Sequence, residues 1–345
     1  MLTDLPIFIA AAVFAGAAIA VWMAGGRLAR DISRLAHRLG MSQGFAGMLI
    51  LGGITSLPEI ATAGSAALTG SPDLAVTNLL GTGSVNILLL VIADLMIAGT
   101  ALTALVRSSS VLLQGLLGIV LMTAAAVLAL IGDVEIASTG LGWGTSGLFV
   151  ACAAALFLAS RYEKNPGWTT TDHGSRTKRP AGQQGSHTAT PTLTLRVSGA
   201  GAVILVAGYV LSQTADGIAA STGLGTGLIG ITLLALATSL PELSSIRSAL
   251  AIKRYDLAVG DVLGTNLFNI AVLFVVDVGH RDDPALAEPD MFAGVAALLA
   301  VIMIGLYLAG QMARRPQVFL RLGLSSWAVL GAYAGGLALL WQLRG

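Results

Sequence analysis

Apolar stretches long enough to cross a bilayer follow one another along this chain, separated by short breaks that are polar or contain glycine. A spanning helix needs about 20 mostly apolar residues, and ten such stretches are predicted. They lie near residues 6–24, 43–68, 74–99, 110–131, 143–160, 197–214, 224–250, 257–278, 291–312 and 324–343. The first has Asp4 and no basic residue before its apolar run, so it reads as a retained helix rather than a cleaved signal. One long hydrophilic segment stands out, from Arg161 to about Thr194. It is rich in Gly, Ser, Thr and Pro and without periodicity, as expected of a flexible linker. The expected organisation is therefore a five-helix unit over 1–160, a linker over 161–195 and a second five-helix unit over 196–345.

Composition turns this pattern into a fold class. Of 345 residues, 55% are hydrophobic and 11% charged, where a soluble domain carries roughly 25% charged residues. Several water-exposed domains are excluded, and so is a disordered chain. The expected class is an all-α integral membrane protein with ten transmembrane helices. A net charge of +1 argues against nucleic acid as a partner. The single cysteine, Cys152, allows neither an internal disulfide nor a cysteine-based metal cluster. The basic residues are placed unevenly. Counted over alternate connections, 17 of the 19 Lys and Arg fall on one side, at 27–38, 107, 161–196, 247–254 and 314–321, leaving Arg281 and Arg344 on the other. Basic residues mark the cytoplasmic side, so the linker is expected in the cytoplasm and both termini outside, in a multi-pass protein of the cell's inner (plasma) membrane.

Sliding the chain against itself by 183 residues aligns Thr55-Ser56-Leu57-Pro58-Glu59 with Thr238-Ser239-Leu240-Pro241-Glu242. Further on, Asp73-Leu74-Ala75-Val76 meets Asp256-Leu257-Ala258-Val259, Leu80-Gly81-Thr82 meets Leu263-Gly264-Thr265, and Asn86-Ile87 meets Asn269-Ile270. Between 55 and 87, 16 of 33 positions are identical without a gap. Shared polar residues at shared spacing inside apolar spans mark a true internal repeat. Because each unit holds five helices, the second copy enters the membrane from the opposite face. Inverted repeats meeting at mid-membrane are the architecture of secondary transporters.

An ionised carboxylate in hydrocarbon costs several kcal/mol, so Glu59 and Glu242 require a reason. Pro58 and Pro241 precede them and remove backbone donors, which is expected to free carbonyls around 52–55 and 235–238 as ligands. Helical spacing places Thr55 and Ser56 on the face of Glu59, and Thr238 and Ser239 on that of Glu242. Thr82 with Asn86, and Thr265 with Asn269, repeat the four-residue spacing. All these donors are oxygens, the set that hard cations such as Ca²⁺ and Na⁺ take, and two carboxylates match one divalent ion. His37, His173, His187 and His280 all fall in expected connections, which disfavours zinc or copper within the membrane. A proline in a membrane helix is more often only a kink, and a membrane Ser or Thr usually bonds its own backbone. The duplication of the whole set outweighs those readings. Asp94 and Asp277, also 183 apart, lie near helix ends and read as interfacial caps; Cys152 reads as packing, and the basic run from Arg27 to Arg38 as a cytoplasmic anchor.

The two TSLPE segments, each followed 27 residues later by Asn within GTxxxN, resemble the α-repeats of the sodium/calcium exchanger family of cation/Ca²⁺ antiporters. The repeats cover about 46–90 and 229–273. The resemblance implies that Glu59 and Glu242 are Ca²⁺ carboxylates shared with Na⁺. It implies that Thr55, Thr238, Thr82 and Thr265, with the carbonyls of Gly52 and Ala235, line flanking Na⁺ sites. Ser56 and Ser239 would assist, while Asn86 and Asn269 would complete the centre. No cofactor and no enzymatic activity are implied. Three departures follow from this sequence: Asn269 stands where several sodium-coupled members have Asp, Gly83-Ser84 replaces the bulkier Asn266-Leu267 and is expected to loosen the first site, and the 161–194 loop is too short for a calcium-sensing domain. The expected function is export of Ca²⁺ driven by Na⁺, by alternating access, with the first and sixth helices sliding across the rest. H⁺/Ca²⁺ exchange through the same glutamates is the alternative. A serine hydrolase built on Ser56 or Ser239 fails because no His or Lys lies in either candidate span to act as base. A channel would show an uncoupled current.

Overall fold

In the computed structural model, residues 5–68, 72–97, 99–137, 139–164, 190–222, 238–280 and 283–342 are described. The first helix, α1 (Ile7–Leu39), has 33 residues. At 1.5 Å per residue it is about 50 Å long, more than the roughly 30 Å of hydrocarbon it has to cross. Arg27, Arg30, Arg34 and Arg38 therefore lie on the helix itself and not in a connection, and His37 lies in its last turn. The helix ends where Gly40 turns left-handed (φ 69°) and its N–H caps the carbonyl of Ala36, a conformation glycine adopts without steric cost.

The remaining spans are α2 (Gln43–Leu68), α3 (Pro72–Leu95), α4 (Ser109–Ile131), α5 (Trp143–Lys164), α6 (Thr190–Thr222), α7 (Leu240–Ala251), α8 (Tyr255–His280), α9 (Met291–Ala313) and α10 (Leu324–Gln342). Among the described residues nine helices are long and apolar enough to cross a membrane. The expected seventh span is described only from Thr238 onward, and Ala235 lies outside the described residues. Both ends of the expected linker are helical: α5 continues to Lys164 and α6 begins at Thr190, so the linker is shorter than 161–195. His280 closes α8 rather than sitting in a connection. Two small β features depart from an all-helical chain among the described residues: a hairpin of two-residue strands, β1 (Val318–Phe319) against β2 (Leu322–Gly323), that leads into α10, and a single antiparallel bridge between Glu135 and Gly142 before α5.

Lipid gives apolar helices no reason to associate, so close backbone approach has to hold them together. Gly44, Gly47 and Gly52 on α2 meet Gly260 and Gly264 on α8, where a Cβ at Gly264 would fall 2.6 Å from the Cα of Met48. The two elements carrying the repeated polar residues are thus pressed backbone to backbone. Spans α3 and α8 also pack on each other, with α4, α5 and α9 around them. Span α8 is the most enclosed, with 78% of its apolar window buried against 17% for α1. Outside this group α1 and α6 lie along one another and rest on the outer segments of α7 and α2.

Two buried carboxylates tie the halves together reciprocally. Asp94 on α3 accepts hydrogen bonds from the N–H of Leu102 (2.6 Å) in its own half and, across the halves, from the N–H of Gly323 (2.7 Å) and the hydroxyl of Ser326 (2.7 Å) at the start of α10. Asp277 on α8 accepts from the N–H of Ala285 (2.8 Å) in its own half and, across the halves, from the N–H of Gly142 (2.9 Å) and the hydroxyl of Thr145 at the start of α5. The fifth helix of each half is pinned by the third helix of the other. Both carboxylates are buried within the protein.

Candidate functional site: two broken helices at the centre

Proline decides the local geometry of α2. Pro58 has no N–H for the carbonyl of Ile54 and its ring crowds that turn, so the helix breaks at Ser56 (φ −76°, ψ −2°) and restarts as Leu57–Leu68. The repeat behaves identically at Ser239 (φ −82°, ψ −1°), before Leu240–Ala251. Each proline occupies the second position of the new segment, where its missing N–H is not needed. The expected single helical face carrying Thr55 and Glu59 is therefore two segments, with Thr55 ending one and Glu59 in the first turn of the next. Glu242 likewise lies in a first turn. The unpaired N–H groups and positive dipole end of each new segment stabilise the carboxylate there.

Glu59, Glu242, Asn86 and Asn269 are each no more than 1% exposed. The segments that carry the glutamates both pack against α3, bearing Asn86, and α8, bearing Asn269. The two glutamates lie within electrostatic reach of each other. Among the described residues, both carboxyl oxygens of Glu59, both of Glu242, and the amide oxygens of Asn86 and Asn269 have no hydrogen-bond partner. Stranding a buried polar atom costs about 1–3 kcal/mol, and six oxygens of four neighbouring side chains are stranded here. Ser239 Oγ is in the same condition. Asn86 is held by its nitrogen instead, which donates to Asn266 Oδ1 at 2.8 Å.

Hydroxyls around this centre point their protons at backbone. Ser56 donates to the carbonyl of Gly52 (2.7 Å) and Thr82 to that of Asn78 (2.6 Å). A hydroxyl so engaged turns its lone pairs the other way, free for a cation. The carbonyl of Gly52 receives the N–H of Ser56 (3.0 Å) and that residue's hydroxyl, with the Thr55 hydroxyl at 3.3 Å. Pro58 cannot donate to the carbonyl of Ile54 four residues before it, which the N–H of Ser56 approaches instead. Thr55, Thr238 and Thr265 are buried as expected. Position 83 is not loosened: a Cβ on Gly83 would meet Met122 Cε at 3.0 Å and Ala300 Cβ at 3.1 Å. Met122 and Ala300 fill the space a side chain would take, and the Asn266 nitrogen approaches the Gly83 carbonyl at 3.4 Å.

Asp261 is the residue that sequence reasoning missed. Fully buried on α8, it accepts a hydrogen bond from Thr55 Oγ1 at 3.1 Å and one from the Ser245 hydroxyl. The available signal was the in-register comparison of the repeats, where Asn78 faces Asp261 and the two differ only by a charge. Asn266, opposite Gly83 in the same register, stands out in the sequence only by its bulk, because its hold on Asn86 is a contact between residues 180 positions apart.

The chain matches the family model described as sodium/calcium exchanger protein over residues 9–160 and 193–341. It is 29% identical over 306 residues to CaxA of Alkalimonas amylolytica, a protein that carries an antiporter's name, covering 86% of this chain and 89% of that one. It is 28% identical over 268 residues to the inner membrane protein YrbG of Escherichia coli (strain K12), covering 76% of this chain and 75% of that one. Its fold matches that of the sodium-calcium exchanger NCX_Mj from crystals soaked with Na⁺ and Sr²⁺, with a TM-score of 0.70 at 20% identity over 96% of this chain and 99% of that one. Two broken helices with a buried, unpartnered glutamate at each break, on a fold of this kind, thus meet a family model that spans nearly the whole chain: the protein belongs to the sodium/calcium exchanger family and is a multi-pass membrane antiporter.

Proposed function

We propose that the protein exchanges Ca²⁺ for Na⁺ by alternating access and normally exports Ca²⁺ from the cytoplasm across the cell's inner (plasma) membrane, with both termini outside. The observation that carries this reading is the set of six stranded oxygens on Glu59, Glu242, Asn86 and Asn269. Ca²⁺ takes six to eight oxygen ligands, and two carboxylates supply the charge that one such ion neutralises. With Thr55, Ser56, Thr82, Thr238, Ser239 and Thr265 around them, the same oxygens serve Na⁺ when Ca²⁺ has left. Competition for one set of ligands is what makes the transport an exchange, and no cofactor is needed. An empty site leaves two bare charges in a low dielectric, which opposes passage through the closed state, whereas a filled site is neutral.

The moving part is the α1–α6 pair. Gly25 on α1 lies against Pro241, and Gly208 on α6 lies against Pro58. Each long helix thereby touches the proline adjoining a glutamate, so a shift of the pair passes to the site through two glycine contacts related by the repeat. The test is Ca²⁺ flux in vesicles with an imposed Na⁺ gradient. Uptake should follow the gradient in the wild type and vanish in Glu59→Gln and Glu242→Gln; full transport by either variant refutes the assignment. Neither glutamate has a basic hydrogen-bond partner among the described residues, which keeps H⁺ as the rival coupling ion. Flux driven by a pH gradient without Na⁺ would establish that rival.

A further inference from the structure

We infer that Ser244 is a positioning residue of the transport cycle: its hydrogen bond to α1 holds that helix where it lies in this structure, and the mirrored contact of α6 has no residue able to make the same bond. The bond therefore biases the protein toward one of its two facing states. This rests on the movement of the α1–α6 pair proposed above and assigns a residue that sets its resting position.

The two long helices run on equivalent tracks. In the 183-residue register Gly25 of α1 corresponds to Gly208 of α6, and Pro241 of α7 to Pro58 of α2. They rest at different points. A Cβ on Gly25 would lie 2.8 Å from the carbonyl oxygen of Pro241 and 3.2 Å from Ser244 Cβ, between the proline and the next turn of α7. For a Cβ on Gly208 the three nearest atoms all belong to Pro58, the first at 2.6 Å.

The chemistry of the two contacts also differs. Ser244, 2% exposed, donates its hydroxyl proton to the carbonyl of Trp22. Side chains three and four residues further along a helix screen such a carbonyl, and here those residues are Gly25 and Gly26, so a second donor can reach the oxygen. A Cβ on Gly26 would stand 3.3 Å from Ser244 Oγ. One turn along α7 the Arg247 guanidinium lies over the Trp22 ring, 5.8 Å from its centroid. The mirrored residues are Ala61 for Ser244, Gly64 for Arg247, Leu205 for Trp22 and Tyr209 for Gly26. Ala61 has no hydroxyl to donate and Gly64 no charge. Leu205 and Tyr209 are 38% and 47% exposed.

In an inverted repeat the opposite state arises when the halves exchange arrangements. Helix α6 then advances toward Ala61, and α1 withdraws from Ser244 to the ring of Pro241. The withdrawal breaks the hydrogen bond and the cation–π contact, and the advance replaces neither. An equilibrium between two states shifts only by contacts that one has and the other lacks, and these favour the arrangement described here.

The test is the distance between nitroxides on Leu39→Cys, at the end of α1, and Met312→Cys, near the end of α9, both exposed positions. It is measured by double electron–electron resonance on the full-length protein carrying Cys152→Ser, in lipid nanodiscs. The parent should show two α1 positions. Ser244→Ala should raise the ratio of the other position to the one described here by about threefold or more, the worth of one hydrogen bond. Arg247→Leu should raise it about two- to fivefold. In labelled Ca²⁺ exchange across vesicles, Ser244→Ala should raise the Ca²⁺ half-saturation on one face and lower it on the other, because each face binds only the state open to it. A ratio that Ser244→Ala moves by less than about threefold, or in the opposite direction, overturns the assignment, even if thermal stability falls as it would for a merely structural hydroxyl. Equal shifts of the two half-saturations overturn it as well. A parent with a single α1 position under every ionic condition refutes the moving pair and the role of Ser244 with it. Absence of Ca²⁺ exchange refutes the proposed function alone, since the distance ratio decides the role of Ser244 without transport.

Discussion

Replacing Asp277 by Ala tests the reciprocal pinning of the halves, and the chain carries its own reporter. Cys152 is the single cysteine, 3% exposed on α5, with its Sγ 3.6 Å from the Leu267 carbonyl of α8. A thiol reagent reaches it only when α5 and α8 separate. Asp277 holds the start of α5 through Gly142 and Thr145 and the following loop through Ala285. The variant strands the N–H groups of Gly142 and Ala285, at about 1–3 kcal/mol each. The Thr145 hydroxyl keeps the Gly142 carbonyl at 3.2 Å, and Asp133 still caps α5 through Gly144 (2.7 Å) and the N–H of Thr145 (2.9 Å). Removing a buried carboxylate also relieves its own desolvation, so the net loss is put at about 2–5 kcal/mol. Where labelling follows the population of the open form, that loss speeds labelling of Cys152 by about thirtyfold to several thousandfold. The assay is the rate of reaction of a fluorogenic maleimide with the purified protein in detergent at fixed temperature, with Asp277→Asn expected between the two. A rate for Asp277→Ala within about twofold of the wild type would show that these hydrogen bonds do not hold α5 in place.

Other consequences can be measured with the same preparations. Asp94→Ala should destabilise the protein by a similar amount, read as the loss of thermal stability, and its effect should add to that of Asp277→Ala because the two clusters share no partner. Saturating Ca²⁺ should slow Cys152 labelling about a hundredfold at a hundred times the dissociation constant, and should have no effect in the Glu59→Gln, Glu242→Gln double variant. Asn266→Ala removes the 2.8 Å hydrogen bond that orients Asn86, so Ca²⁺ affinity by titration calorimetry should fall about five- to tenfold, the worth of one buried hydrogen bond. Gly208→Val places a side chain where a Cβ would already stand 2.6 Å from Pro58 Cβ. Turnover should fall by an order of magnitude or more from overpacking of about 1–3 kcal/mol, while Ca²⁺ binding survives; unimpaired turnover would free the α6–Pro58 contact of any part in the cycle.

Apolar run length, the asymmetry of the basic residues and the 183-residue repeat were readable in the chain because each depends on local composition or on identity at fixed spacing. They defined a helical membrane protein of paired halves and picked out Glu59 and Glu242, the residues whose burial costs most when unexplained. Helix ends were less legible. The polar continuations of α1 to Leu39 and of α6 back to Thr190 look like loops to an apolar window, although a helix needs no apolar face once it leaves the hydrocarbon. Only the tertiary structure could show that Asp94 and Asp277 fasten the opposite half, that Asn266 reaches across the halves to the Gly83 carbonyl and to Asn86, and that Asp261 stands beside Thr55. Those pairings join residues 132 to 232 positions apart. Sequence spacing fixes which groups share a helix face, but which faces meet is set by where glycine lets two backbones approach. That is decided by the packing of all the helices at once.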